Sequence, residues 1–137
     1  MTVVYLGLGS NIGDRAAHLA AARDELEARG AVILRQGRIR ETKPFGVEDQ
    51  PDFLNQVLEV EWPASPPELL AATRAVEIAV GRTPTYRWGP REIDVDILLF
   101  GDLVVAEPGL TIPHPGIGER DFVRLALLEL RPDILRR

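Results

Sequence analysis

The chain contains no cysteine, so disulfides and thiolate metal sites are excluded. It has only two histidines, His18 within a predicted helix and His114 between two prolines, which disfavours a zinc centre. Lysine is nearly absent: Lys43 is the only one, and the other basic residues are arginines. No run is apolar enough to span a bilayer. The N-terminus, Met1-Thr2-Val3-Val4-Tyr5-Leu6, begins directly as a strand and lacks the basic segment and cleavage site of a secretory signal, which makes the cytosol the default. Excess positive charge is missing too. A net charge of −5 and a pI near 5.1 argue against a general binder of nucleic acid or membrane surfaces. What remains is 137 residues with 45% hydrophobic content, enough for one proper core, with no repeat, linker or low-complexity segment. A single domain over residues 1–137 is expected.

Hydrophobic pattern and punctuation predict the elements. Thr2 to Leu8 is apolar on both faces and reads as a central strand. Gly9 to Asp14 reads as a loop, with Asp14 capping a helix from about Arg15 to Arg29 and Gly30 ending it. Leu19, Ala22 and Leu26 share that helix's inner face. Ala31 to Thr42 is read as a second strand and Phe53 to Trp62 as a third. Ser65-Pro66-Pro67-Glu68 is a capping box with proline at the first helical position. It opens a helix to about Val80, with Leu69, Ala72, Val76 and Val80 inward and Gly81 closing it. Ile93 to Phe100 is a fourth strand, followed by a turn at Gly101-Asp102 and a short strand over Leu103 to Ala106. Leu110 to Pro115 is extended, and Glu119 to Leu130 is helical. The order β-α-β-β-α-β, with extra short strands and a C-terminal helix, predicts an α+β sandwich. Its plan is ferredoxin-like, with an antiparallel sheet and helices mainly on one face.

The most informative stretch is Arg87 to Leu98, R-W-G-P-R-E-I-D-V-D-I-L. Gly89-Pro90 marks a turn. Alternation along the strand puts Asp94 and Asp96 on one face and Ile93, Val95 and Ile97 on the other. Two adjacent carboxylates repel each other and are best tolerated with a cation between them. Hard oxygen ligands at this spacing suit Mg²⁺, which takes one or two carboxylates and completes its shell with phosphates and water. Arg87 and Arg91 lie just upstream, and guanidinium groups match phosphate oxygens. The combination points to phosphoryl or nucleotidyl transfer. By itself D-x-D also fits a solvated edge strand; the flanking residues make that reading hard to sustain.

Other segments carry weaker signals. Gly7-Leu8-Gly9-Ser10-Asn11-Ile12-Gly13 misses the dinucleotide fingerprint by one residue and lacks a following G-K-[ST], so a strand-to-helix turn is favoured. Thr42, Pro44, Gly46, Phe53 and Asn55 bracket one loop. Phe53 and Asn55 share a face, where a ring and an amide suit a flat heterocycle; a core Phe beside a turn Asn fits equally. Glu77 ends the second helix just before Arg82. His114 is held rigidly between prolines.

Together these blocks resemble the 6-hydroxymethyl-7,8-dihydropterin pyrophosphokinase family nearly end to end. They are G-L-G-S-N-I-G-D, E-T-K-P-F-G, D-Q-P-D-F-L-N, G-R at Gly81-Arg82, the Arg87–Leu98 block, L-T-I-P-H-P and E-R-D-F-V. The resemblance implies transfer of pyrophosphate from ATP to the pterin hydroxymethyl group, releasing AMP. It implies Asp94 and Asp96 as ligands of two Mg²⁺ ions, Asp94 also orienting the attacking hydroxyl, with Arg82 and Arg91 neutralising the transferred group. It implies nucleotide contacts from Leu70, Glu77, Arg82, Arg87, Arg91, Ile97, Thr111, His114 and Arg120. Thr42, Pro44, Gly46, Phe53, Asn55, Asp94 and Phe122 are implied for the pterin, with Trp88 closing over the site. The chain departs from well-known members at Pro84, where they carry a second arginine. A monomer is expected, with a dimer as the alternative. The competing readings are a metal-dependent nucleotidyl- or phosphotransferase acting on another acceptor, and a non-catalytic ferredoxin-like ligand-binding module. Dihydroneopterin aldolase is disfavoured, because it needs no Mg²⁺ and has no use for this arginine–carboxylate cluster.

Overall fold

A computed structural model describes residues 1–44, 46, 49–86 and 89–133. The elements are β1 (Thr2–Ser10), α1 (Arg15–Ala28), β2 (Val32–Gln36), β3 (Arg40–Thr42), β4 (Phe53–Trp62), α2 (Pro66–Val80), β5 (Asp94–Phe100), β6 (Val105–Glu107), β7 (Leu110–Ile112), α3 (Gly116–Glu119) and α4 (Asp121–Leu130). The main sheet runs β2-β4-β1-β5, with every neighbour antiparallel and β3 also pairing β4. This is the ferredoxin-like plan expected from the element order.

Local sequence sets the helix ends. The Asp14 side chain accepts the Ala17 N–H at 3.1 Å and starts α1. In α2 the expected capping box forms: Ser65 Oγ accepts the Glu68 N–H, and Glu68 accepts the Ser65 N–H in return. Gly81 ends α2 with φ 114, a left-handed conformation that glycine adopts without a Cβ clash. The buried face of α1 is Leu19, Ala22 and Leu26, as expected. In α2, Leu69 and Val76 are buried as expected. Thr73 is buried with them, and Ala72 and Val80 are only partly covered. Thr73 avoids an unmet hydroxyl by donating to the Leu70 carbonyl at 2.8 Å.

Alternation along the strands separates two packed faces. Val4, Leu6 and Leu8 of β1, Leu58 and Val60 of β4, and Val95 and Ile97 of β5 face α1 and α2 in the larger core. Tyr5, Val57 and Leu98 face the other way, against Val123, Ala126, Leu127 and Leu130 of α4. α4 is therefore a second layer rather than an appendage. Its C-terminal end is tied down by charge: Arg35 pairs with Glu59 and donates to the Leu130 carbonyl, and Arg40 pairs with Glu129 at 2.8 Å. Tyr5 Oη donates to Glu59 at 2.5 Å, and burial together with that carboxylate pushes the phenol up to about 12.

Several boundaries depart from the sequence pattern. The expected strand Ala31–Thr42 is two strands. Between the pairs Gln36–Leu58 and Arg40–Asn55 one extra residue is taken up, a bulge centred on Gly37. Gly37 N donates to the Val57 carbonyl at 2.8 Å, and a Cβ there would lie 2.9 Å from that oxygen. The expected helix Glu119–Leu130 breaks at Arg120, whose backbone is extended at φ −126 and ψ 111. The short strand occupies Val105–Glu107 rather than Leu103–Ala106, because it pairs with Leu110–Ile112. Among the described residues, no helix is long and apolar enough to cross a membrane.

Replacing Ser65 with alanine removes the α2 cap. It should cost about 1 kcal/mol, read as a fall of roughly 4 °C in thermal midpoint by differential scanning calorimetry.

Candidate active site

A cavity of about 250 Å³ opens on the α4 side of the sheet. Its floor explains the glycine-rich start of the chain. Gly9 sits in β1 between Asn55 of β4 and Asp94 of β5, and Gly7 sits between Val57 and Asp96. A Cβ on Gly9 would lie 3.2 Å from Asn55 Oδ1 and 3.4 Å from the Phe53 ring. Small residues on the central strand therefore hold open the space between an aromatic–amide wall and a carboxylate wall. The loop expected over Gly9–Asp14 begins later, since β1 runs to Ser10. Only Gly13, at φ 70, plays the strain-relieving role expected of a turn glycine.

The strand alternation predicted for β5 holds. Ile93, Val95 and Ile97 are buried in the helical core, while Asp94 and Asp96 line the cavity. Asp94 is gripped from both sides: Arg91 Nη1 meets Oδ2 at 3.0 Å and Arg82 Nη1 meets Oδ1 at 3.4 Å. Arg82 also pairs with Glu77 at 2.8 Å. Glu77 Oε2 accepts the Val95 N–H at 2.9 Å, satisfying a backbone donor on an edge strand between the two aspartates. Burial pushes the Glu77 carboxyl up, partly offset by that N–H and by Arg82. Asp96 faces His114, with Nε2 to Oδ1 at 3.8 Å. Burial and then the neighbouring Asp94 charge push its carboxyl up to about 7, against the pull of Arg120 and Arg91. His114 Nδ1 accepts the Gly116 N–H at 2.8 Å, which directs its Nε2–H toward Asp96. Burial, and then Arg120, hold the imidazole below its ordinary pKa.

The opposite wall is Thr42, Pro44, Phe53, Asn55 and Phe122, with Lys43 and Glu119 at the margin. Asn55 Nδ2 donates to Thr42 Oγ1, which fixes the amide's orientation across the β3–β4 pair. Ten of the residues expected at the site line this one cavity: Thr42, Pro44, Phe53, Asn55, Arg91, Asp94, Asp96, His114, Arg120 and Phe122. Glu77 and Arg82 stand directly behind Asp94. Gly46 is exposed at φ 87 and does not line the cavity, and Thr111 is exposed on β7. Leu70 and Ile97 belong to the helical core, Ile97 being 5% exposed. Arg87 and Trp88 lie outside the described residues.

Sequence reasoning missed Asn11, which is buried and bonded to both Arg91 and Gln50. Its partners lie 39 and 80 residues away, so no local pattern marks it. It also missed the floor role of Gly7 and Gly9, legible only once strand register is known.

The carboxylate pair fits a hard divalent cation, which would offset both the burial of Asp96 and its repulsion from Asp94. Among the described residues no group of three or more potential ligands gathers. Water and substrate oxygens are then required to complete the shell, as is usual for Mg²⁺.

The sequence model of the 7,8-dihydro-6-hydroxymethylpterin-pyrophosphokinase family matches residues 5–132. The chain is 44% identical over 135 residues to the 2-amino-4-hydroxy-6-hydroxymethyldihydropteridine pyrophosphokinase of Aquifex aeolicus, covering 98% of this chain and 84% of that one. It is 43% identical over 129 residues to the Bacillus subtilis protein of the same name, covering 93% and 77%. A solved Plasmodium falciparum HPPK-DHPS structure superimposes with a TM-score of 0.69 over 97% of this chain and 40% of that one. At 15% identity that likeness speaks to the fold.

In the ligand-free protein, folded Asp96 keeps its proton up to about pH 7, whereas the unfolded chain releases it near the ordinary value of 3.8. Its stabilising contribution is therefore complete below that lower value and is lost as pH rises through 7. Asp96→Asn removes this dependence. The variant should gain thermal stability over wild type progressively between about pH 4 and pH 7, with a level excess above, by calorimetry across pH.

Proposed function

The chain belongs to the 7,8-dihydro-6-hydroxymethylpterin-pyrophosphokinase family, and from that premise we propose how its cavity carries out the reaction. The enzyme is a diphosphotransferase of folate biosynthesis. It moves the terminal pyrophosphoryl group of ATP to the hydroxymethyl oxygen of 6-hydroxymethyl-7,8-dihydropterin and releases AMP. The pterin oxygen bonds to the β-phosphorus, the oxygen bridging the α- and β-phosphates departs with AMP, and the hydroxyl proton is lost.

The observation that carries the residue assignment is the single cavity floored by Gly7 and Gly9. It sets an aromatic–amide wall on one side and an arginine-clamped carboxylate pair on the other. The flat pterin goes to Phe53, Asn55, Thr42, Pro44 and Phe122, where Asn55 offers both a donor and an acceptor. The family resemblance assigns Gly46 and Trp88 to the pterin as well. The triphosphate goes to the opposite wall, toward Asp94, Asp96, His114 and Arg120, and the resemblance assigns Arg87 to it too. The resemblance also assigns Leu70, Glu77, Ile97 and Thr111 to the nucleotide; Leu70, Ile97 and Thr111 stand outside the cavity, and Glu77 acts by holding Arg82 against β5. Asp94 and Asp96 would hold Mg²⁺, two ions with ATP bound, and the metal's contribution is to neutralise and orient phosphate oxygens. Arg82 and Arg91 already reach toward Asp94 and can shift toward phosphate charge as it develops. Asp94 orients the attacking hydroxyl. Phosphoryl chemistry rests on such positioning and charge stabilisation more than on a protein nucleophile. We expect it to act as a monomer, with a dimer as the alternative. We place residues 1–137 as one catalytic domain working in the cytosol on these two small molecules.

Two variants test the assignment. Asp96→Ala should lower AMP formation from ATP, Mg²⁺ and the pterin by roughly 10³-fold in a coupled assay; near-normal turnover would remove the metal role. Arg82→Ala should lower kcat by about 10²-fold while changing the nucleotide dissociation constant only a few-fold. The reverse split would make Arg82 a ground-state binding residue. Product analysis by chromatography should find AMP and the pterin diphosphate, with no ADP or free pyrophosphate.

A further inference from the structure

Asn11 follows directly after β1 and is 1% exposed. Its backbone N–H donates to the Arg91 carbonyl at 3.1 Å, and its Oδ1 accepts the Arg91 N–H at 2.8 Å. Its Nδ2 donates to Gln50 Oε1 at 2.8 Å and to the Pro51 carbonyl at 3.0 Å. One buried amide therefore holds two connections that arrive from distant parts of the chain. The first, between β3 and β4, leads into the acceptor wall at Phe53 and Asn55. The second, between α2 and β5, carries Arg82 and Arg91, and Arg91 in turn grips Asp94 at 3.0 Å. Both amide hydrogens and the amide oxygen are engaged, and a buried polar group satisfied in this way is expensive to rearrange.

We propose that Asn11 is a positioning residue that couples the two substrate subsites. Seating of the nucleotide against Arg91 then orders the Gln50–Pro51 segment, and the pterin meets an acceptor wall already set. By linkage the coupling is mutual: the factor by which nucleotide raises pterin affinity equals the factor by which pterin raises nucleotide affinity. The inference rests on the functional reading above.

Asn11→Asp is the informative variant. It keeps an oxygen to accept the Arg91 N–H but replaces the donor facing Gln50 and Pro51 with an acceptor. Pterin is titrated calorimetrically into wild type and variant, each with and without a non-hydrolysable ATP analogue and Mg²⁺. In wild type, the analogue should raise pterin affinity by about tenfold, within the usual span of coupling between sites. In Asn11→Asp that factor should fall below about twofold, with analogue affinity alone nearly unchanged and the pterin KM raised more than kcat is lowered. A merely structural role would weaken both ligands together and leave the ratio intact. A full factor retained in the variant, or no factor in wild type, overturns the inference. Wild type that binds neither ligand overturns the functional reading instead. If Asn11→Asp does not fold, Gln50→Leu carries the same comparison with one bond removed: a lowered factor supports the coupling and an unchanged one refutes it.

Discussion

Two carboxylates on one face of a strand repel each other, and much of the surrounding structure accommodates that repulsion. The accommodation is uneven. Asp94 has an arginine on each oxygen, Arg82 on one and Arg91 on the other. Asp96 faces His114, whose imidazole burial holds below its ordinary pKa, and it feels the pull of Arg120 and Arg91. One carboxylate is therefore clamped by two guanidinium groups, while the other is pushed up to about 7, first by burial and then by its neighbour's charge. The site thus carries an unfavourable electrostatic arrangement that a divalent cation and its phosphate ligands relieve. Affinity for charge is built into the strand before any substrate arrives.

The sheet makes this possible by serving two purposes at once. One face is dry, covered by α1 and α2, and takes Val95 and Ile97. The other carries the chemistry, and there the central strand contributes glycine at Gly7 and Gly9. The aspartates stand on a β-strand whose alternate residues are locked into a core, so they are held far more firmly than loop residues would be. α4 closes the chemical face. The same helix that buries Val123 and Leu127 also brings Phe122 to the cavity, and Arg120 just before it lines the cavity too.

The parts legible in the sequence were those set by local rules. Strand alternation placed Asp94 and Asp96 together, and Phe53 with Asn55. The capping box of α2 and the glycine at its end were readable because caps depend on a few adjacent residues. What escaped depends on partners distant in sequence. The bulge at Gly37 arises from Val57 on a neighbouring strand, and the break at Arg120 interrupts a segment whose hydrophobic pattern reads as continuous helix. Asn11 looks like any polar turn residue until two connections converge on it. Gly7 and Gly9 were assigned to a turn because their lack of side chains has meaning only beside Asn55 and Asp94. The resemblance of the motif blocks implied roles for Arg82, Thr111 and Arg120 that spacing alone left open.

The near-absence of lysine acquires a practical meaning at the cavity. Lys43 is the only lysine in the chain, and it stands on the acceptor side of the opening. Apart from the N-terminus, every amine-directed reagent has one address on this protein, beside Pro44 and Phe53. Immobilisation, fluorophore conjugation or reductive methylation through amines would therefore obstruct the entrance it was meant to leave untouched, and attachment is better engineered through a cysteine introduced on the exposed side of α1.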